Sequence, residues 1–289
     1  MSNRNVDGQP DNERLRVRTA PPRSARWMVA TVAAAFVALS GCAGAGADGS
    51  GSDERLSTAE YDLARDAFEK KRLREALDHV DKALEQDDGN ADAAYLGTVI
   101  MLAFCALDTK SPDCRFQDAE KYARAALDVD DQMRDASNAL GVILIHQRRY
   151  QEAIRVLEPL SKDIIYGSPE KAWGNLGWAY LEAGRLSDAI NALKRSVAAQ
   201  PSFCVGHYRL GLAYQKKGQH GAARQAFTRA VSIEQGDCER LQHAFWARSV
   251  SLQHLGMHDE ARKDLERCRE LEPNTPVGKG CTRKLQALK

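Results

Sequence analysis

Residues 170–180 read Glu-Lys-Ala-Trp-Gly-Asn-Leu-Gly-Trp-Ala-Tyr and are followed at fixed distances by Ala189, Leu193 and Pro201. Trp173, Leu176, Gly177 and Tyr180 recur in kind one period of 34 residues later, where Cys204 opens a stretch with Leu210, Gly211, Tyr214, Ala223, Phe227 and Ala230 in the same phase. Self-similarity at such a period means stacked copies of one small unit, because a single unit cannot bury its own apolar face. The phase extends both ways. A unit from Arg134 has Leu140, Gly141, Leu144, Ala153 and Leu157; one from Gln242, after a four-residue insertion, has Phe245, Ser249, Ala261, Leu265 and Pro273; one from Ser57 has Leu63, Ala64, Ala76 and Ala83. Between the first and third units the spacing is irregular, since Leu96-Gly97 and Ala119 lie ten residues further apart than the pattern requires. The units therefore fall near residues 57–90, 90–133, 134–167, 170–203, 204–237 and 242–275.

This spacing resembles the tetratricopeptide repeat, which implies an all-α, right-handed α-solenoid of about six helix pairs. A small residue in helix A (Ala64, Gly97, Gly141, Gly177, Gly211, Ser249) is expected to admit the alanine of helix B (Ala76, Ala119, Ala153, Ala189, Ala223, Ala261). Gly184, Gly218 and Gly256 fall at the inter-helix turn, where a left-handed backbone is often needed. Residues 276–289 read as a capping helix with Leu285 and Leu288 facing inward.

The front of the chain is of another kind. Arg14, Arg16, Arg18, Arg23 and Arg26 precede an apolar run at residues 27–39, too short for a membrane-spanning helix and of signal-peptide length. Leu39-Ser40-Gly41-Cys42 resembles the bacterial lipobox, which implies a signal peptide at residues 1–41, cleavage before Cys42 and a covalent lipid on its thiol. An ordinary signal peptide with a chance cysteine, or an uncleaved anchor, reads the same run differently. Ala43 after the cysteine implies, by the sorting rule of enteric bacteria, the outer rather than the inner membrane. Residues 42–56 then form the lipidated cysteine and a Gly/Ala/Ser linker spanning roughly 20 Å as a coil. The solenoid would occupy residues 57–289.

Six cysteines remain, an even number that favours disulfides in an exported chain but allows fifteen pairings. Cys105 and Cys114 bracket the insertion around Ser111-Pro112. Cys204 opens helix A of the fifth unit and Cys238 just follows its helix B, ends that antiparallel packing brings together. Cys268 on the last helix B can reach Cys281 of the cap. The expected pairs are sequential: Cys105–Cys114, Cys204–Cys238 and Cys268–Cys281. No closely spaced metal-ligand motif competes, since His254 and His258 are split by the turn at Gly256, and no metal is expected.

A solenoid offers the concave face of its A helices, where repeat positions place Val142, Ile145, Trp178, Leu181, Tyr208, Leu212, Trp246 and Val250. Such a stripe either binds an apolar or amphipathic protein segment or fills gaps between neighbouring A helices; for the stripe as a whole, binding is the preferred reading. The positions at which chaperone-binding relatives clamp a carboxylate hold mostly apolar residues, with Asn175 nearly alone. Residues 1–41 carry six Arg against three acids, +3 of the overall +1, so the remainder carries −2 and offers no electrostatic case for nucleic acid. No G-x-S-x-G, H-E-x-x-H, phosphate loop or dinucleotide fingerprint is present, so no catalytic residue and no small-molecule substrate are expected.

Six such repeats after a lipobox, with extra cysteines, resemble the pilotin lipoproteins of the type IV pilus, the Tgl, PilF and PilW group. The resemblance covers residues 39–276. It implies a non-enzymatic scaffold on the outer membrane, facing the periplasm, held there by lipid alone and without other cofactor, that binds a secretin and promotes its assembly. Two other lipoprotein types share the architecture: NlpI-like adaptors for peptidoglycan hydrolases or proteases, and BamD-like components of outer-membrane protein assembly.

Overall fold

A computed structural model describes residues 49–234, 238 and 241–287. The proposed signal peptide, Cys42 with the first part of the linker, and Leu288 lie outside the described residues. Thirteen α-helices follow one another without a strand among the described residues: α1 (Gly49–Glu69), α2 (Leu73–Gln86), α3 (Ala91–Leu107), α4 (Phe116–Val129), α5 (Arg134–His146), α6 (Tyr150–Lys162), α7 (Pro169–Glu182), α8 (Leu186–Ala199), α9 (Cys204–Lys216), α10 (His220–Val231), α11 (Gln242–His254), α12 (His258–Leu271) and α13 (Pro276–Ala287). Odd-numbered helices up to α11 are the A members of six pairs, even-numbered ones the B members, and α13 packs on α12 and α11 as the cap.

The two helix types differ in how they are buried. In α5 the buried residues Ala139, Leu140, Gly141, Ile143, Leu144 and Ile145 run almost without break, because an A helix is covered by its own B helix and by the repeats on either side. In α6 the buried set Ala153, Ile154, Leu157, Leu160 and Ser161 keeps the i, i+3, i+4 spacing of a helix with one face in water. Consecutive A helices touch from α1 through α11, which makes theirs the inner side of the stack. At three inter-repeat turns an aspartate closes the loop: Asp87, Asp130 and Asp163 accept the backbone N–H groups of Gly89, Gln132 and Ile165 at 2.9, 2.9 and 2.8 Å.

Three expectations from the sequence are corrected. Helix α1 begins at Gly49, so residues 49–56 of the expected linker are helical; once packing fixes the body of α1, each further residue adds a hydrogen bond without a new nucleation cost. Leu63, at a repeat position whose counterparts Leu140, Leu176 and Leu210 are buried, is 50% exposed. At Gly141, Gly177 and Gly211 what the small residue of helix A makes room for is not first the alanine of helix B but the larger side chain four positions after it, and at Gly97 it is Tyr122, three positions after Ala119. A Cβ added at Gly141, Gly177 or Gly211 would lie 2.4, 2.5 and 2.4 Å from Leu157, Leu193 and Phe227. The insertion in the second pair is shared between a longer α3 and the loop at residues 108–115.

The turn glycines Gly184, Gly218 and Gly256 have φ of 77, 76 and 73°, the left-handed region. At the same turn the first and third pairs place Lys71 and Arg148, at φ 60 and 62°. A side chain there costs about 1 kcal/mol or more. Arg148→Gly is therefore expected to stabilise the chain by up to about 1 kcal/mol and Gly218→Ala to destabilise it by about the same, read as opposite shifts of the urea midpoint; shifts of the same sign would refute the strain.

Three disulfides tie the stack, Cys105–Cys114, Cys204–Cys238 and Cys268–Cys281, with Cα separations of 4.4, 5.8 and 6.2 Å. The first closes the insertion loop, the second the fifth pair, and the third pins the cap.

Candidate partner-binding groove

The inner wall is a row of A helices linked by side chains that reach from one to the next. Asn175 on α7 donates from Nδ2 to Asn138 Oδ1 on α5 at 2.9 Å. Arg209 on α9 donates from Nη1 to Asn175 Oδ1 at 2.8 Å. Gln215 on α9 donates to Ala247 O and Ser251 Oγ of α11 at 2.9 and 2.8 Å. These contacts join residues 32 to 37 positions apart, close to one period, and the 34 residues between Asn175 and Arg209 set equal positions of successive repeats side by side.

The expected stripe is only partly available to a ligand. Val142, Trp178 and Val250 are half-buried and stand on the inner wall. Ile145 and Leu181 are 3% and 1% exposed and belong to the core, a correction: they lie three residues beyond Val142 and Trp178, where the A helix turns its side into the stack. Tyr208 and Leu212 keep one edge open and pack the other onto the cluster of Ala223, Phe227 and Ala247. Trp246 is held by the cap, with Lys284 Nζ 5.5 Å above its ring and Gly280 so close that a Cβ there would come within 2.9 Å. It is thus chiefly a docking surface for α13.

The centre of the groove holds residues the stripe omitted. Phe116 stacks on His146 with ring centroids 4.6 Å apart, and His146 meets the edge of Trp178 at 5.1 Å. The Arg209 guanidinium lies over the Trp178 ring, 4.4 Å from its centroid. Partial burial, followed by the nearby Arg209 charge, holds His146 below its ordinary pKa. Burial also lowers Arg209, to about 10. A signal for this cluster existed in the sequence: Arg209 follows Trp178 by one period less three residues, one helical turn along the neighbouring A helix.

Elsewhere, the exposed His254 stacks on His220 with ring centroids 4.0 Å apart. Among the described residues, no group of three or more His, Cys, Asp or Glu converges as a metal site would require.

Comparison with known proteins agrees with this architecture. Residues 115–158, 166–202 and 175–237 match one family model described as tetratricopeptide repeat, and residues 243–275 match a second of the same description. Human Superkiller complex protein 3 is 26% identical over 171 residues, 58% of this chain, which spans only 11% of that protein. Type IV pilus assembly protein PilF of Pseudomonas aeruginosa is 30% identical over 188 residues, covering 61% of this chain and 71% of PilF. The solved structure of PilW, a widely conserved type IV pilus biogenesis factor, superposes with a TM-score of 0.65 at 22% identity, covering 78% of this chain and 98% of PilW, a likeness of fold. With its repeats matched along half its length and a relative that it covers by more than two thirds, the chain belongs to the tetratricopeptide-repeat family, as a relative of the type IV pilus assembly protein PilF.

Proposed function

We propose that this chain is a pilotin: a lipoprotein anchored through Cys42 to the outer membrane, facing the periplasm, whose groove binds secretin subunits and promotes their assembly for type IV pili. The observation that carries the reading is the half-buried aromatic centre at Trp178 on the inner wall of a chain related to PilF. Trp is favoured as a binding anchor because it buries a large area at small entropic cost. Three disulfides support an oxidising compartment such as the periplasm. In this reading the protein is a scaffold and not an enzyme, its one cofactor is the covalent lipid, and it engages neither nucleic acid nor a small-molecule substrate.

The test is capture of crosslinked partners by a C-terminally tagged chain from detergent-solubilised envelopes, with mass spectrometry of wild type beside Trp178→Ala. Enrichment of a secretin that falls at least about tenfold in the variant, as loss of an interface anchor worth about 2 kcal/mol would give, supports the reading. Recovery of hydrolases, a protease or barrel-assembly subunits without a secretin overturns it. In the same preparations, Cys42→Ser is expected to leave the membrane fraction; its retention there would sink the lipid anchor.

A further inference from the structure

On the side away from the touching A helices, two clefts between successive B helices can be compared position by position. The cleft between α6 and α8 is floored by Trp173, Leu176 and Tyr180 of α7 and encloses about 200 Å³. It is covered and charge-balanced: Arg195 lies over the Trp173 ring, 4.7 Å from its centroid, and Glu158 and Asp188 stand in the walls. One 34-residue period later, the cleft between α8 and α10 is floored by His207, Leu210 and Tyr214 of α9 and opens to about 570 Å³. His207 stands where Trp173 stood, Ala222 where Asp188 stood, and Arg229 where Arg195 stood. The large ring and the acid are gone; the arginine is kept. Among the described residues, no Asp or Glu lines this cleft.

A second cation enters its wall. Arg224 is half-buried, and its Nε is shut off from solvent without a hydrogen-bond partner. Among the described residues, neither Arg224 nor Arg229 is in an ion pair. An enclosed donor left without an acceptor is a cost that an anion entering the cleft removes. His207 Nε2 donates to Pro201 O at 3.0 Å, which fixes the ring in the floor. Burial holds His207 below its ordinary pKa against that bond, and the nearby Arg229 charge adds to the effect, so the Arg229 guanidinium lies close to the ring. We propose that the cleft between α8 and α10 binds a phosphate ester with an apolar body, the phosphate held by Arg224 and Arg229 and the apolar part lying on Val197, Leu210 and Tyr214. A phosphate monoester carries about −1.5 to −2 charge near pH 7 and three acceptor oxygens, enough to serve two arginines, whereas a carboxylate brings a single charge. Inorganic phosphate would gain nothing from the apolar floor. The site faces away from the inner wall and does not depend on what the partner-binding groove receives. The ester can be a lipid head group or a soluble molecule.

The experiment titrates the full-length protein, 15N-labelled at arginine in neutral maltoside micelles, with phenyl phosphate, phenylacetate, inorganic phosphate and benzyl alcohol. The Arg224 Nε–H signal, identified by its absence from R224Q, is expected to shift saturably with phenyl phosphate and at least about tenfold more weakly with each of the other three. Dihexanoyl phosphatidic acid added to the same micelles distinguishes the sources: a saturable shift marks a lipid head group, and a shift with phenyl phosphate alone marks a soluble ester. Two variants keep both arginines. Ala222→Asp restores the acid of the preceding repeat, in the first turn of α10, where an acid suits the helix as Asp188 does in α8. His207→Trp restores the large ring of the floor. Each, checked for retained helicity, is expected to weaken phenyl phosphate binding at least about tenfold. No saturable response to phenyl phosphate, an equal response to any of the other three probes, or undiminished binding in both variants overturns the site.

Discussion

Gly177→Val is expected to lower the free energy of unfolding by about 3 kcal/mol, the upper end of ordinary overpacking costs. The Cβ alone would stand 2.5 Å from Leu193 Cγ, 2.9 Å from Leu193 Cδ2 and 3.2 Å from the Leu193 backbone nitrogen. Leu193 is fully buried, so its side chain has no free volume to enter, and the backbone contact can be relieved only by moving α7 away from α8. Urea unfolding followed by circular dichroism measures the loss. Gly221 on α10 is the internal control: a Cβ there meets nothing within 4 Å, so Gly221→Ala is expected to be neutral or to stabilise by up to about 1 kcal/mol through helix propensity. If Val at Gly177 were as well tolerated as Ala at Gly221, the close approach of helix A to helix B would not be what positions the pair.

Removal of the Cys204–Cys238 bridge by the double change Cys204→Ser, Cys238→Ser is expected to cost about 3 to 4 kcal/mol. Its sequence separation of 34 is the longest of the three, against 13 for Cys268–Cys281 and 9 for Cys105–Cys114. In the chain-entropy account the cost grows with the logarithm of loop length, so the other two bridges are each worth somewhat less, about 3 kcal/mol or below. Replacing both cysteines avoids a stray thiol. Peptide mapping of the unreduced protein, followed by thermal unfolding of the variant, checks the pairing and the energy separately. A map with any other partner for Cys204 would overturn the expectation at its base, and a change below about 0.5 kcal/mol would show that repeat stacking already constrains this segment.

The two predictions touch features of different legibility. Repeat period, turn glycines and cysteine spacing are local or strictly periodic, so they can be read from letters alone. Gly177 is visible as a required small residue because it returns at every period, although the letters do not say that Leu193, rather than Ala189, is what it makes room for. That detail depends on where the rows of side chains on α7 and α8 interlock.

The groove was less legible. A repeat position predicts which way a Cα faces, but exposure depends on what the adjoining repeats bring. Ile145 and Leu181 share a nominal position with groove residues and are nevertheless sealed by neighbouring helices. Trp246 is claimed by the cap through Lys284 and Gly280. Arg209 stands one period less three residues after Trp178 in the sequence, but that the two side chains meet, with the guanidinium over the indole, is seen only in the structure.

From its own letters this chain determined an all-α repeat stack, its helix pairs, its turns and the cysteines able to meet, because each rests on periodic burial or on backbone conformations that few residues adopt. Tertiary structure alone decided how far α1 extends, which apolar side chains remain available, and that a guanidinium lies against an indole without a carboxylate beside it. Those outcomes are set by the packing of one repeat against the next, where distances of a few ångströms between residues a full period apart fix exposure and charge environment.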